Sequence, residues 1–247
     1  MGLFTKPTEN AKFIMDYLGC ECRHFPAGKP AQLIQSSYEE AFARMEMDKT
    51  TPLLITVDDM LVEDIKSKIK PGETAEQCRT KILSEASGDA SEWFMDNLRK
   101  MKEEVGEYWN EITADTDISG IRTTRLCSFV DTLTQKTKEV ILAKIPTDKP
   151  WEVFAWFPFG GWNACPLPEE HIMISRCWYQ KFGAVPAALS HDILEFVAQP
   201  LRDKNAAVGL ALEQYAFCPD IIDQGMQMVG ILANSLTKSS VWSFWWD

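Results

Sequence analysis

Three short motifs collect the residues of this chain whose types suit chemistry: Gly161-Trp162-Asn163, Asp220 through Gln224 with Asp223 between them, and Trp245-Trp246-Asp247. Asn163 and Gln224 offer paired donors and acceptors, the aspartates offer carboxylates, and the tryptophans offer flat apolar walls. A pocket that grips a polar ligand has this composition, a few polar groups set among aromatics. The candidate ligand-binding set is therefore Trp162, Asn163, Asp220, Asp223, Gln224, Trp245 and Asp247. Each part also has a structural use. Gly160-Gly161 suits a turn that needs φ > 0, and Asn163 can satisfy backbone groups of that turn. Asp220 can cap a helical turn after Pro219, Gln224 can bridge to a neighbouring loop, and tryptophans are large core residues by default.

Catalytic sets are poor. His171 follows two glutamates in a helix and His191 lies in a turn, and both are expected to be exposed. Cys165 and Cys218 each precede a proline, and Cys218 beside Asp220 is not activated, because thiolates want positive neighbours. No serine elbow, P-loop or dinucleotide fingerprint is present. Cys20, Cys22 and His24 would share one face of a strand, but a zinc site needs a fourth ligand, and no second Cys/His pair has ligand spacing. Asp58-Asp59 after a strand resembles a magnesium pattern, yet helix capping accounts for it without a ligand. Asp220, Asp223 and Asp247 would hold a divalent ion only if they converge. No resident metal or cofactor is expected.

The elements that must position these residues follow from periodicity. Helices are predicted over Glu9–Leu18, Ala31–Met47, Met60–Ile69, Glu73–Ser87 and Ala90–Ile112, then Pro166–Phe182, Lys204–Phe217 and Met226–Lys238. The stretches Glu73–Ser87 and Ala90–Ile112 read as a helical insertion over an amino-terminal sheet. Strands are predicted over Cys20–Phe25, Thr51–Val57, Leu126–Leu133 and Glu139–Ile145, and over Trp151–Phe159 as the second arm of a hairpin. Ala184–Leu189 and Ile193–Ala198 form another hairpin around Ser190-His191-Asp192, and Val241–Trp246 is the last strand. The fold class is α+β, a mixed sheet with helices. Its carboxy-terminal part follows a split βαβ or ferredoxin-like plan with a doubled second helix, and Trp151–Phe159 is its first strand. The organisation is an amino-terminal α/β region over residues 1–137 that covers the sheet of a second region over 138–247.

At 247 residues the chain supports one large core or two small ones. Its net charge of −11 argues against a nucleic-acid backbone as partner, since that needs clustered Lys and Arg. No apolar run approaches the ~20 residues of a membrane span. Met1–Lys12 lacks an apolar leader core, and Gly2 lacks the Ser or Thr that myristoylation wants where Lys6 stands. Seven cysteines, an odd number set mostly in apolar segments, read as reduced thiols. The expected location is the cytoplasm.

Several separate motifs then agree in order. They are Pro158-Phe159-Gly160-Gly161-Trp162-Asn163 with Cys165-Pro166, Tyr179 with Phe182-Gly183-Ala184, Tyr215 with Cys218-Pro219-Asp220-Ile221 and Asp223-Gln224-Gly225, and Trp242 through Asp247. On these residues Ala155–Asp247 resembles the domain-of-unknown-function family DUF4253, with fainter likeness at Pro52–Asp58 and Val140–Pro146. The family often has Tyr where this chain has Phe182 and Ser243. The resemblance implies no activity. The expected function is a non-enzymatic binding or protein-interaction protein, of the immunity type, whose partner is another protein or a small polar ligand. The alternative is a small metal- or acid-dependent hydrolase using carboxylates near Asp220.

Overall fold

The computed structural model describes residues 6–247, so Gly2 lies outside the described residues. Helix α1 (Glu9–Leu18) begins where the Thr8 hydroxyl accepts from the Ala11 N–H and stops at Gly19, whose φ of 60° is left-handed. Strand β1 (Glu21–Phe25), helix α2 (Ala31–Ala43) and the short α3 (Met45–Asp48) follow. Strand β2 (Thr51–Thr56) is buried throughout and delivers Asp58, which caps helix α4 (Asp59–Lys68) by accepting the Met60 N–H at 2.8 Å. Helices α5 (Ala75–Glu85), α6 (Ala90–Val105) and α7 (Trp109–Ile112) come next. They pack on the carboxy-terminal helices rather than on an amino-terminal sheet: Phe94 of α6 stacks on Trp178, and Trp109 stacks on Tyr215.

Strand β3 (Val140–Ile145) leads to helix α8 (Val153–Trp156), the long helix α9 (Pro168–Phe182) and the hairpin β4 (Val185–Leu189) and β5 (Ile193–Val197). Helix α10 (Lys204–Phe217), a π-helical turn at Ile221–Met226, helix α11 (Val229–Leu236) and strand β6 (Val241–Trp245) complete the order. One mixed sheet runs β1-β3-β2-β4-β5-β6, in which only β2 and β4 are parallel neighbours. The amino-terminal half is therefore not merely a cover, because β2 lies between β3 and β4 inside the sheet. The order β-α-β-β-α-α-β is present, but its first strand is β3.

Two expected strands are not formed. Pro150–Trp156 is helical, with Phe157 N–H bonded to the Val153 carbonyl at 2.8 Å. Val153, Phe154, Ala155, Phe157 and Phe159 are all buried, and a run that is apolar on every side fits a helical period as well as a strand period. Pro150 at the first position favours helical φ. Residues 126–133 form turns with a single bridge, Val130 to Thr137. The N–H groups of Cys127 and Ser128 donate to the Glu195 carboxylate at 3.0 Å, so a side chain takes the donors a neighbouring strand would have used.

Strand alternation sorts the core onto two faces. Leu53, Ile55, Ile141, Leu194, Phe196, Trp242 and Phe244 join the larger core under the helices, centred on the fully buried Trp178. Leu54, Val140, Leu142 and Val241 meet α2 through Ile34 and Tyr38, with Leu126 and Phe129, on the other face.

Candidate functional site

The loop after α8 is shaped by Gly160, whose φ is +94°. A Cβ there would lie 2.0 Å from the Pro166 carbonyl and 2.7 Å from His171 Nε2. Only glycine fits this approach. Gly161 donates to the Pro166 carbonyl at 2.9 Å, and Asn163 follows at φ +48°. The loop thereby projects Trp162 and Asn163 toward the last strand.

Several of the expected site residues meet there. Asn163 Nδ2 donates to the Asp247 main-chain carbonyl at 3.1 Å, and the Asp247 N–H donates to Asp220 Oδ2 at 3.1 Å. Gln224 Nε2 donates to Asp220 Oδ1 at 2.9 Å. Trp162 meets Trp246 edge-to-face at 6.2 Å. Asp223 turns away and accepts from the Tyr215 hydroxyl at 2.9 Å, while Trp245 lies against Gly225 and gives its carbonyl to Cys218 Sγ at 2.9 Å. The three aspartates do not form an ion cage. Among the described residues, no group of three or more His, Cys, Asp or Glu side chains is placed to hold a metal ion. The Cys20, Cys22 and His24 face is likewise no metal site: His24 Nε2 is 2.6 Å from Glu139 Oε1, which also accepts the Thr8 N–H.

A cleft of about 340 Å³ opens beside this junction. Trp162, Asn163, Trp246 and Asp247 line it together with Met60, Asp64, His191 and Asp192. It lies where β2 and β4, the parallel pair, end: His191 Nδ1 is 3.4 Å from Asp192 Oδ1 and 3.7 Å from Asp58 Oδ1. Crevices outside the carboxyl ends of parallel strands are common ligand sites. The lining carries three carboxylates and no Lys or Arg, and Asp64 is paired with Lys68 one helical turn on. Sequence reasoning missed Met60, Asp64, His191 and Asp192 as lining residues. The available signal was that Asp58 and Ser190-His191-Asp192 each directly follow a strand.

His171 is not exposed; it is fully buried between Phe154 at 4.8 Å and Phe217 at 5.2 Å, with Nε2 3.5 Å from Cys165 Sγ. Burial pushes the imidazole down to about 3, and burial also raises the Cys165 thiol well above its ordinary range. A neutral imidazole beside a protonated thiol is not an activated nucleophile. Cys218 is also buried, and its thiol is pushed up to about 12. Both partners are packing groups.

Among the described residues no helix is long and apolar enough to cross a membrane. No curated protein and no solved structure matches the chain. The family model described as Domain of unknown function (DUF4253) matches residues 141–247, a span that begins in β3 and includes the Gly160–Asn163 loop, the Asp220–Gln224 turn and the closing tryptophans. Over these residues the chain is similar to that family.

Proposed function

We propose that this is a non-enzymatic binding protein whose acidic, aromatic cleft receives a basic group of a partner protein. The observation that carries the reading is the composition of the cleft: carboxylates of Asp64, Asp192 and Asp247 around Trp162 and Trp246, with no Lys or Arg in the lining. A Lys or Arg side chain finds both attractions there, charge pairing and the face of an aromatic ring. The net charge of −11 works in the same direction, steering a basic partner toward the protein at low salt. Such a protein fits an immunity-type role, blocking a basic partner by occupying its surface. We place it in the cytoplasm, a reading supported by seven free thiols. The hydrolase alternative is disfavoured by geometry, since both Asp220 oxygens are engaged by Gln224 and the Asp247 N–H.

The test is titration with a short Lys/Arg-rich peptide and with a neutral peptide of equal length. Saturable binding of the basic peptide that weakens with salt, and that drops in the Asp192→Asn/Asp247→Asn double variant, supports the reading. Equal binding of both peptides, or an unaffected double variant, refutes it. Purification under native conditions that yields no basic partner counts against the immunity role.

A further inference from the structure

The seven free thiols differ in what surrounds them, and one pair stands apart. Cys78, Cys165 and Cys218 are buried, and Cys177 is half-buried with its thiol raised by desolvation. Cys127 is exposed as a residue, yet desolvation of its sulfur and the Glu195 carboxylate 3.4 Å away push that thiol up to about 12. Cys20 and Cys22 remain, both half-buried and two positions apart. Cys20 follows the Gly19 stop of α1, and Cys22 lies in β1, an edge strand of the sheet. Both pack against the larger core, whereas Phe25 of the same strand packs on the α2 face. In the β1–β3 register Cys22 stands opposite Ala143, which belongs to that larger core. The two cysteine side chains therefore leave the chain on one side.

Same-side neighbours on an extended chain have Cα atoms roughly 6.6 Å apart. A disulfide bridges Cα separations up to about 6.8 Å, so this pair is within reach of one. The thiols are already close, since Cys22 donates a hydrogen bond to the Cys20 sulfur. Arg79 of α5 supplies the positive neighbour that a reactive thiol needs. Its guanidinium carbon lies 3.1 Å from the centre of the Trp156 ring, a cation–π seat, and its buried Nε has no hydrogen-bond partner. The bond from Cys22, and then the Arg79 charge, hold the Cys20 thiol below its ordinary range against the effect of burial. The same bond, together with burial, raises the Cys22 thiol. One sulfur is set to react first and the other to follow.

We propose that Cys20 and Cys22 are a reversible oxidation site, at which hydrogen peroxide converts the two thiols to an intramolecular disulfide. The Cys20 sulfur attacks one peroxide oxygen: an S–O bond forms, the O–O bond breaks, and the departing hydroxide takes a proton to leave as water. Cys20 is then a sulfenic acid. The Cys22 sulfur attacks the Cys20 sulfur: the S–S bond forms, the S–O bond breaks, and hydroxide leaves with the Cys22 proton as a second water. The two thiols together lose two electrons, and the peroxide gains them. A small thiol reductant reverses the change by exchange. The bridge closes the turn that joins α1 to the edge strand β1. The site shares no residue with the acidic cleft, so either assignment stands or falls alone.

The experiment exposes the reduced full chain to limiting hydrogen peroxide, blocks the remaining free thiols with N-ethylmaleimide and maps the peptides by mass spectrometry. The expected result is loss of two hydrogens from the peptide that holds Cys20 and Cys22, ahead of oxidation at any other cysteine and reversed by dithiothreitol. In Cys22→Ser, dimedone should label Cys20, because its sulfenic acid has lost the second thiol. Without peroxide, iodoacetamide should alkylate Cys20 faster than the exposed Cys127 by about tenfold or more. The proposal is overturned if Cys20 and Cys22 stay open to N-ethylmaleimide while another cysteine is oxidised. A bridge from Cys20 to a different cysteine, such as Cys78, overturns it too, as does alkylation of Cys127 ahead of Cys20. These wild-type readouts decide the matter even if Cys22→Ser does not fold.

Discussion

The side-chain amide of Asn163 donates to the main-chain carbonyl of Asp247 at 3.1 Å, joining residues 84 apart in sequence at the rim of the acidic cleft. The Asp247 N–H continues the chain of bonds to Asp220 and so to Gln224. The rim is thus a short polar network supported from behind by the rings of Trp162, Phe159 and Trp246. Asn163→Asp keeps the shape and tolerates φ > 0 but cannot donate. It should cost about 1 kcal/mol in urea unfolding and accelerate hydrogen exchange at the Asp247 amide. Unchanged exchange there would show that the bond does not order the rim.

Gly160→Ala should be among the most damaging single changes. It combines a left-handed φ with a Cβ 2.0 Å from the backbone oxygen of Pro166, which a side-chain rearrangement cannot relieve. The expected loss is about 3 kcal/mol or more, measured by denaturant unfolding. A loss below about 1 kcal/mol would mean the loop can shift.

His171 makes stability depend on acid. Its pKa in the fold is about 3, against 6.5 for the free side chain. Above pH 6.5 it is neutral in both states and contributes no pH dependence. As pH falls from about 6.5 toward 3, the unfolded chain binds a proton that the folded chain does not, so stability falls, by about 1.4 kcal/mol per pH unit at full slope. Unfolding free energies measured across this window should show the slope in the wild type and a shallower one in His171→Gln. Identical slopes would rule His171 out as its origin.

Glu195 is buried on the α2 face of the sheet and accepts the N–H groups of Cys127 and Ser128. Glu195→Ala leaves both donors without an acceptor and should cost about 2–4 kcal/mol. Glu195→Gln retains one acceptor oxygen and should recover part of the loss. Amide exchange at Cys127 and Ser128 should speed up far more in the alanine variant than elsewhere in the sheet. Uniform acceleration would indicate general loosening instead.

Much of the fold was legible because it is dictated locally. Glu9–Leu18 carries its own cap in Thr8 and its own stop in Gly19, and the Ser190-His191-Asp192 turn between two apolar runs specified the β4–β5 hairpin. The stretch Trp151–Phe159 was not legible as a helix, because an all-apolar segment satisfies both periods and only its neighbours choose between them. Leu126–Leu133 was misread as a strand because its backbone donors are taken by a carboxylate 67 and 68 residues away.

For the candidate site, residue types alone identified Asn163, Asp220, Gln224 and Asp247, which are joined in one network, and marked Gly160-Gly161 as a turn needing positive φ. They could not show that Asp223 turns toward Tyr215, that His171 is sealed among phenylalanines, or that Asp64, His191 and Asp192 line the same cleft. The amino-acid sequence by itself determined the local elements, the glycine turn and the acidic, aromatic character of the protein, because these depend on each residue and its near neighbours. The tertiary structure alone decided which carboxylates stay free in the cleft, which histidine is buried and which thiol feels the charge of Arg79. Burial and hydrogen-bond pairing depend on residues brought together from distant parts of the chain, and β2 set between β3 and β4 is what brings them there.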